Sequence, residues 1–129
     1  MSIHPAFQTE TEFELPKGFV DPEGTLHRSG VMRLATAADE ILPMRDPRVQ
    51  ENEAYLPIIV LARVITRLGS LKDVHTGIIE GLYASDLAFL EDLYADFNAG
   101  GDRIAEAATR KTNGTRANGL QGIAALGEA

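Results

Sequence analysis

Between Leu56 and Leu68 the chain reads LPIIVLARVITRL, and no other stretch limits the fold so severely. Leu56, Ile58, Ile59, Val60, Leu61 and Ala62 are apolar nearly all round a helix, so this half must be covered on several sides. Val64, Ile65 and Leu68 then keep one face while Arg63 and Arg67 take the other. The spacing predicts the central helix over Leu56–Leu68. Pro57 fits as the opener of its first turn with Leu56 as N-cap, or as a kink if the helix begins at Asn52. Gly69 would supply the C-cap. The apolar-rich run Ala54 to Ala62 is about nine residues, well short of the ~20 that cross a bilayer, so it belongs in a core rather than a membrane. A chain of 129 residues that is 44% apolar holds material for one such core. With 6% aromatic residues and no Trp, that core is mostly aliphatic.

Short strands precede this block. Phe13 and Leu15 alternate with Glu12 and Glu14, and Val31, Met32 and Leu34 flank Arg33. Between them Asp21-Pro22-Glu23-Gly24 has the residues a type I turn prefers. The reading is a β-hairpin whose first strand must break or bulge at Pro16 and Gly18. Thr36, followed by Asp39 and Glu40, suits the start of a short helix that stops near Leu42 because Pro43 follows. Arg45-Asp46-Pro47-Arg48 reads as an Asx-type turn. A last long helix is predicted from about Thr76, its cap, to Phe97, with Gly100-Gly101 as its stop. Ile79, Leu82, Tyr83, Leu90, Leu93, Tyr94 and Phe97 form its stripe, and Asp86 falls in the middle of it. A carboxylate there either pairs with Arg63 or Arg67 or faces a partner, and pairing is the favoured reading because a lone buried charge is costly.

The fold class expected is therefore α+β. An N-terminal β-hairpin packs on a small helical domain of two main helices and a short one, spanning 11–99, after a leader at 1–10. Residues 100–129 are expected to form a flexible Gly/Ala-rich tail, since Ile104, Leu120, Ile123 and Leu126 are too sparse to offset the entropy of ordering it.

Charge and residue types narrow the chemistry. The net charge is -7, the wrong sign for tracking nucleic-acid phosphates or anionic lipid, so neither partner is expected. It is also uneven: residues 1–100 hold eight basic and sixteen acidic side chains, against four and three in 101–129. The absence of Cys excludes disulfides, thiolate metal sites and cysteine nucleophiles. MSIHPAFQTETEFELP has neither a basic region nor an apolar run, which predicts no secretion signal. His4, His27 and His75 are scattered without metal-site spacing, and no metal or cofactor is expected. Asp39-Glu40, Glu51/Glu53 and Asp92/Asp96 read as solvated acidic faces. Paired acids for glycoside chemistry are a minor reading without an aromatic groove. Gly100-Gly101 follows a helix rather than a strand, so it is no phosphate loop. Ser29, Ser70 and Ser85 lack a nucleophile elbow. An enzyme is not expected.

Three stretches carry a resemblance: FELPKGFVDPEGTLHRSGVMRLATAADEI, PMRDPRVQENEAYLPIIVLARVITRLGSL and IIEGLYASDLAFLEDLYADFN. In this order, from Phe13 to Asn98, they resemble the phage tail assembly chaperone family of Mu-like contractile tails, with related copies in prophage and contractile injection gene clusters. Pro57 departs from the pattern, where a small polar or β-branched residue is usual, and residues after Gly100 lie outside it. The resemblance implies a non-catalytic cytoplasmic protein that binds the apolar, helical tape measure protein and keeps it soluble while tube subunits polymerise. The tail tube protein is a second implied partner, and self-association stays open. The alternative is a permanent structural part of the particle, at a baseplate or on the tube. For partner binding the candidates are Arg45, Asp46 and Arg48 in the loop, with Tyr83, Asp86, Tyr94 and Phe97 on the last helix. Arg45, Asp46 and Arg48 form either a self-contained Arg–Asp staple or a docking contact. The aromatic side chains either anchor a partner helix or pack internally.

Overall fold

The predicted hairpin forms, and its turn is built as the residues require. In the computed structural model, which describes residues 8–99, β1 (Glu10–Val20) and β2 (Leu26–Arg33) pair antiparallel. The Gly24 N–H donates to the Asp21 carbonyl at 2.9 Å. Asp21 Oδ1 accepts from the Glu23 and Thr25 N–H groups at 2.9 Å each, an Asx turn that holds the reversal.

The expected irregularity in β1 is a large one. Glu14 pairs with Ser29 and Phe19 with His27, so Leu15, Pro16, Lys17 and Gly18 stand against Arg28 alone. Pro16 has no N–H to lose, and Gly18 takes a φ of +100°, which L side chains rarely adopt. Before the bulge, Phe13 and Leu15 point to the buried face while Glu12 and Glu14 face outward.

Thr36 caps α1 (Ala37–Ile41) through a reciprocal box with Asp39, and Pro43 turns the chain into a 3-10 segment at Leu42–Arg45. Asp46 caps α2 (Pro47–Glu51), and a second 3-10 turn, Glu53–Tyr55, leads into α3 (Leu56–Val64). Tyr55 occupies the N-cap, one residue before the expected Leu56, and Pro57 sits in the first turn.

Two expectations for the helices are corrected. The central helix ends at Val64, and Ile65–Leu68 forms β3, which extends the hairpin to a three-stranded antiparallel sheet in the order β1-β2-β3. Ile65 and Thr66 are β-branched, and Gly30 to Met32 of β2 offer an edge to pair with. Gly69 therefore closes a strand rather than a helix. Its φ is +60°, its N–H donates to the Ser29 carbonyl at 2.6 Å, and a Cβ there would overlap the His27 ring.

The helix expected over Thr76–Phe97 is two helices, α4 (Thr76–Glu80) and α5 (Ala84–Ala99). His75, not Thr76, is the N-cap of α4, its Nδ1 accepting from the Gly77 N–H at 3.0 Å. The break falls at Gly81, a poor helix residue packed beside the Phe19 ring. It re-aims the chain so that α5 runs against β1.

The core joins Leu15 and Met32 of the sheet to Leu56, Val60, Leu61 and Val64 of α3 and to Leu68, Ile79 and Leu90. As expected it is mostly aliphatic; Phe13 and Tyr94 are its buried aromatics. The leader up to residue 7 and the tail 100–129 lie outside the described residues.

Candidate interaction surface

The residues singled out from the sequence divide into those the scaffold uses and those it leaves open. Asp86 belongs to the first group. It lies in the first turn of α5 and is 0% exposed. Its partners are backbone amides: Oδ1 accepts from the Lys17 N–H at 3.0 Å and Oδ2 from the Gly18 N–H at 2.7 Å. The bulge turns these amides out of the β ladder, and a buried N–H must find an acceptor somewhere. Arg28 completes the set from the other side, donating to the Leu15 carbonyl at 2.9 Å and the Pro16 carbonyl at 3.3 Å. The expected ion pair of Asp86 with Arg63 or Arg67 is not made. Arg67 donates to the Gly69 carbonyl at 2.8 Å.

Arg63 serves another carboxylate. Asp39, 2% exposed and so not part of a solvated face, receives Arg33 in bidentate fashion at 2.7 and 3.0 Å. Arg63 Nε adds a contact at 3.0 Å, and the N–H and hydroxyl of Thr36 add two more at 2.8 and 3.1 Å. Arg33 also donates to the Arg63 carbonyl at 2.9 Å, so one buried anion ties β2, α1 and α3 together. The Arg33 guanidinium holds the Asp39 carboxyl far below the usual carboxylate range, against the opposing cost of burial. Nearby, Tyr94 is buried with its hydroxyl donating to Glu40 at 2.6 Å. Burial first, and then Glu40, push its phenol upward.

Arg48 ties the Arg–Asp loop both to itself and to neighbouring elements. Arg48 Nε and Nη2 donate to the two oxygens of Asp46 at 3.0 and 2.9 Å, and Nη1 reaches the Tyr55 hydroxyl and Thr76 Oγ1 at 3.3 and 3.2 Å. Its guanidinium lies 5.0 Å from the Tyr55 ring centroid, a cation–π contact. The Tyr55 hydroxyl itself donates to Glu80. The paired Arg48 holds the Asp46 carboxyl below its ordinary range. Arg45, at the end of the first 3-10 turn, is exposed.

Some large apolar side chains are left open as well. Tyr83, in the α4–α5 turn, is 58% exposed, whereas Phe97 is half-buried against the core. Four exposed apolar residues were not singled out from the sequence: Val20 and Leu26, which pair across the hairpin tip at 51% and 54% exposure, and Ile41 and Leu42 at the end of α1. A sequence signal for the first pair existed, since both flank the type I turn. A groove of about 590 Å³ opens beside the tip, between Phe19, Asp21 and Pro22 on one wall and the β3–α4 segment with Ile78 on the other.

One wall of this groove is anchored by a buried histidine. His27 is 3% exposed, its Nε2 2.8 Å from Asp21 Oδ2, and the Ser70 N–H approaches its Nδ1 at 3.4 Å. A ring that accepts from Ser70 carries its proton on Nε2 and donates it to Asp21. That hydrogen bond is the leading cause that lowers the Asp21 carboxyl from its ordinary value.

Among the described residues no group of three or more His, Asp or Glu side chains could hold a metal ion, and no helix is long and apolar enough to cross a membrane. Neither a family model nor a solved structure matches the chain.

Proposed function

We propose that this protein is a non-catalytic assembly chaperone of a phage-like contractile tail that binds the tape measure protein and keeps it soluble while the tube assembles. The observation that carries the reading is the ordered resemblance of three stretches from Phe13 to Asn98 to that family. The surface is compatible with it. Large apolar side chains at Val20, Leu26, Ile41, Leu42 and Tyr83 stand exposed on a body with twice as many acidic as basic residues. Apolar surface within a charged surround is what a holding protein needs to stay soluble without its client.

Co-expression with the cognate tape measure protein tests the proposal. The tape measure protein should move to the soluble fraction and be retained by the tagged chain at low and moderate salt. Equal solubility without the chain, together with failed capture, rules the partner out. Mass spectrometry of finished particles separates a chaperone, absent from them, from a permanent subunit recovered in stoichiometric amount.

A further inference from the structure

We infer that the outward face of the second half of α5, formed by Asp92, Ala95, Asp96 and Ala99, is the docking site of this chain's own segment 103–116. The two halves of the helix differ. Asp86, Leu90 and Tyr94 are buried and mark its inner side, where the β1 bulge meets Asp86 and the α1 region meets Tyr94 and Asn98. At about 3.6 residues per turn, Ser85 and Ala88 share the opposite side with Asp92, Ala95, Asp96 and Ala99. That side is exposed at Ser85 and Ala88, but from Phe89 to Ala99 no residue is exposed, and the four outward ones are half-buried. A helix packed on one side only keeps its far face in water along its whole length, so the second half of α5 is covered from outside as well.

Chain order and charge select the occupant. Residues 100–129 leave directly from Ala99, at the covered end of the helix, and Gly100-Gly101 permits a reversal onto the helix just completed. From Ala99 back to Asp92 is about 10 Å of helix, a distance that a few residues of returning chain span. The outward face carries Asp92 and Asp96, with Glu91 at its border. Burial first, and then the neighbouring Asp92, push the Glu91 carboxyl upward, so this face is crowded with negative charge. Segment 103–116 brings Arg103, Arg110, Lys111 and Arg116 against one carboxylate, Glu106. Its cations relieve that crowding, and the small side chains of Ala95 and Ala99 let another stretch of chain approach closely. By itself the segment has too little apolar surface to offset the entropy of ordering; the helix supplies the missing contact. The contact is internal to the chain and does not depend on the identity of any client.

The full chain has no Cys, so a single introduced thiol can carry a benzophenone photo-crosslinker without competition. On Ala95→Cys the label should react with residues 103–116 of the same chain, located by mass spectrometry. On Ala88→Cys, at an exposed position of the same side, that product should be largely lost. Crosslinks to residues 1–7, or between two chains, would assign the face to the leader or to a second copy and overturn the inference. A label on Ala95→Cys that finds no protein partner overturns it too. Trypsin gives a second readout, since it cuts after the four basic residues of the segment. Asp92→Asn combined with Asp96→Asn should speed cleavage at Arg103 and Arg110 about fivefold at low salt, with the circular dichroism spectrum kept and the difference fading as salt rises. Equal cleavage of parent and variant contradicts the inference. The crosslink decides alone if the double variant fails to fold.

Discussion

The side of the molecule around α1 and α2 and the end around the hairpin tip are built on opposite terms. Near α1, charge is consumed by the scaffold: buried Asp39 is clamped by two arginines, and Asp46 is held by Arg48 at the surface. At the hairpin tip, polar groups lock the backbone into shape and leave apolar side chains on the outside, Val20 and Leu26 among them. Charge conspicuous in the sequence thus marks scaffold here, while the open surface at the tip carries hydrophobic residues that no core claims.

The contrast can be broken most forcefully at Asp39. Asp39→Ala leaves two arginines, each about a third exposed, without their shared anion and should cost about 3 kcal/mol in urea unfolding. A loss no larger than that of an ordinary surface substitution would remove the clamp from the account. The same site gives the pH dependence. Because the Asp39 carboxyl is depressed in the folded state below its ordinary 3.8, its stabilisation is complete above that value and is lost as pH falls below it. Acid unfolding followed by circular dichroism should therefore be steep in the parent and shallower in Asp39→Ala.

Asp86→Ala comes next, with about 2 kcal/mol for the two amides left unpaired at the bulge. Asp86→Asn should recover part of this, since an amide oxygen can still accept from one of them; no difference between the two variants would mean the amides find water. A smaller loss is expected for Arg48→Ala, read as a slight drop in melting temperature, because the staple is exposed. The smallest effect on stability belongs to the hairpin tip. Val20→Thr with Leu26→Thr should change unfolding by no more than about 0.5 kcal/mol. In the proposed function the same pair weakens capture of the tape measure protein; a large stability loss with unchanged capture would reverse the contrast.

Much of the fold was legible because it rests on local chemistry. The Asp21-Pro22-Glu23-Gly24 turn, the bulge at Pro16 and Gly18, the Thr36 cap and the Asp46 turn each follow from what one residue does to its neighbours' backbone. Where the reading failed, a distant partner decided. Ile65–Leu68 continues a helical pattern by spacing, yet the edge of β2 takes it as a strand. Asp86 looked like half of an ion pair because its acceptors' donors, the Lys17 and Gly18 amides, carry no side-chain signature. Asp39 reads as solvated for the converse reason: Arg63 is 24 residues away, and Arg33, though only six residues before it, sits on a strand that meets α1 only once the chain has turned back at Thr36. Of the candidate interaction residues, Arg45 and Tyr83 emerged on open surface, whereas Tyr94 and Asp86 became buried structure.

By itself the sequence determined the α+β class, a mostly aliphatic core with the Leu56–Leu68 block at its centre, and the acidic character of the body. Those properties are sums over residue types and local conformational preferences, so no long-range information is needed to read them. Only the tertiary structure decided which carboxylates became buried anchors, that the last helix breaks at Gly81, and where apolar side chains remain uncovered. Each of these depends on which groups meet across the packed elements. A buried charge or an open apolar face is a property of that meeting rather than of any one segment.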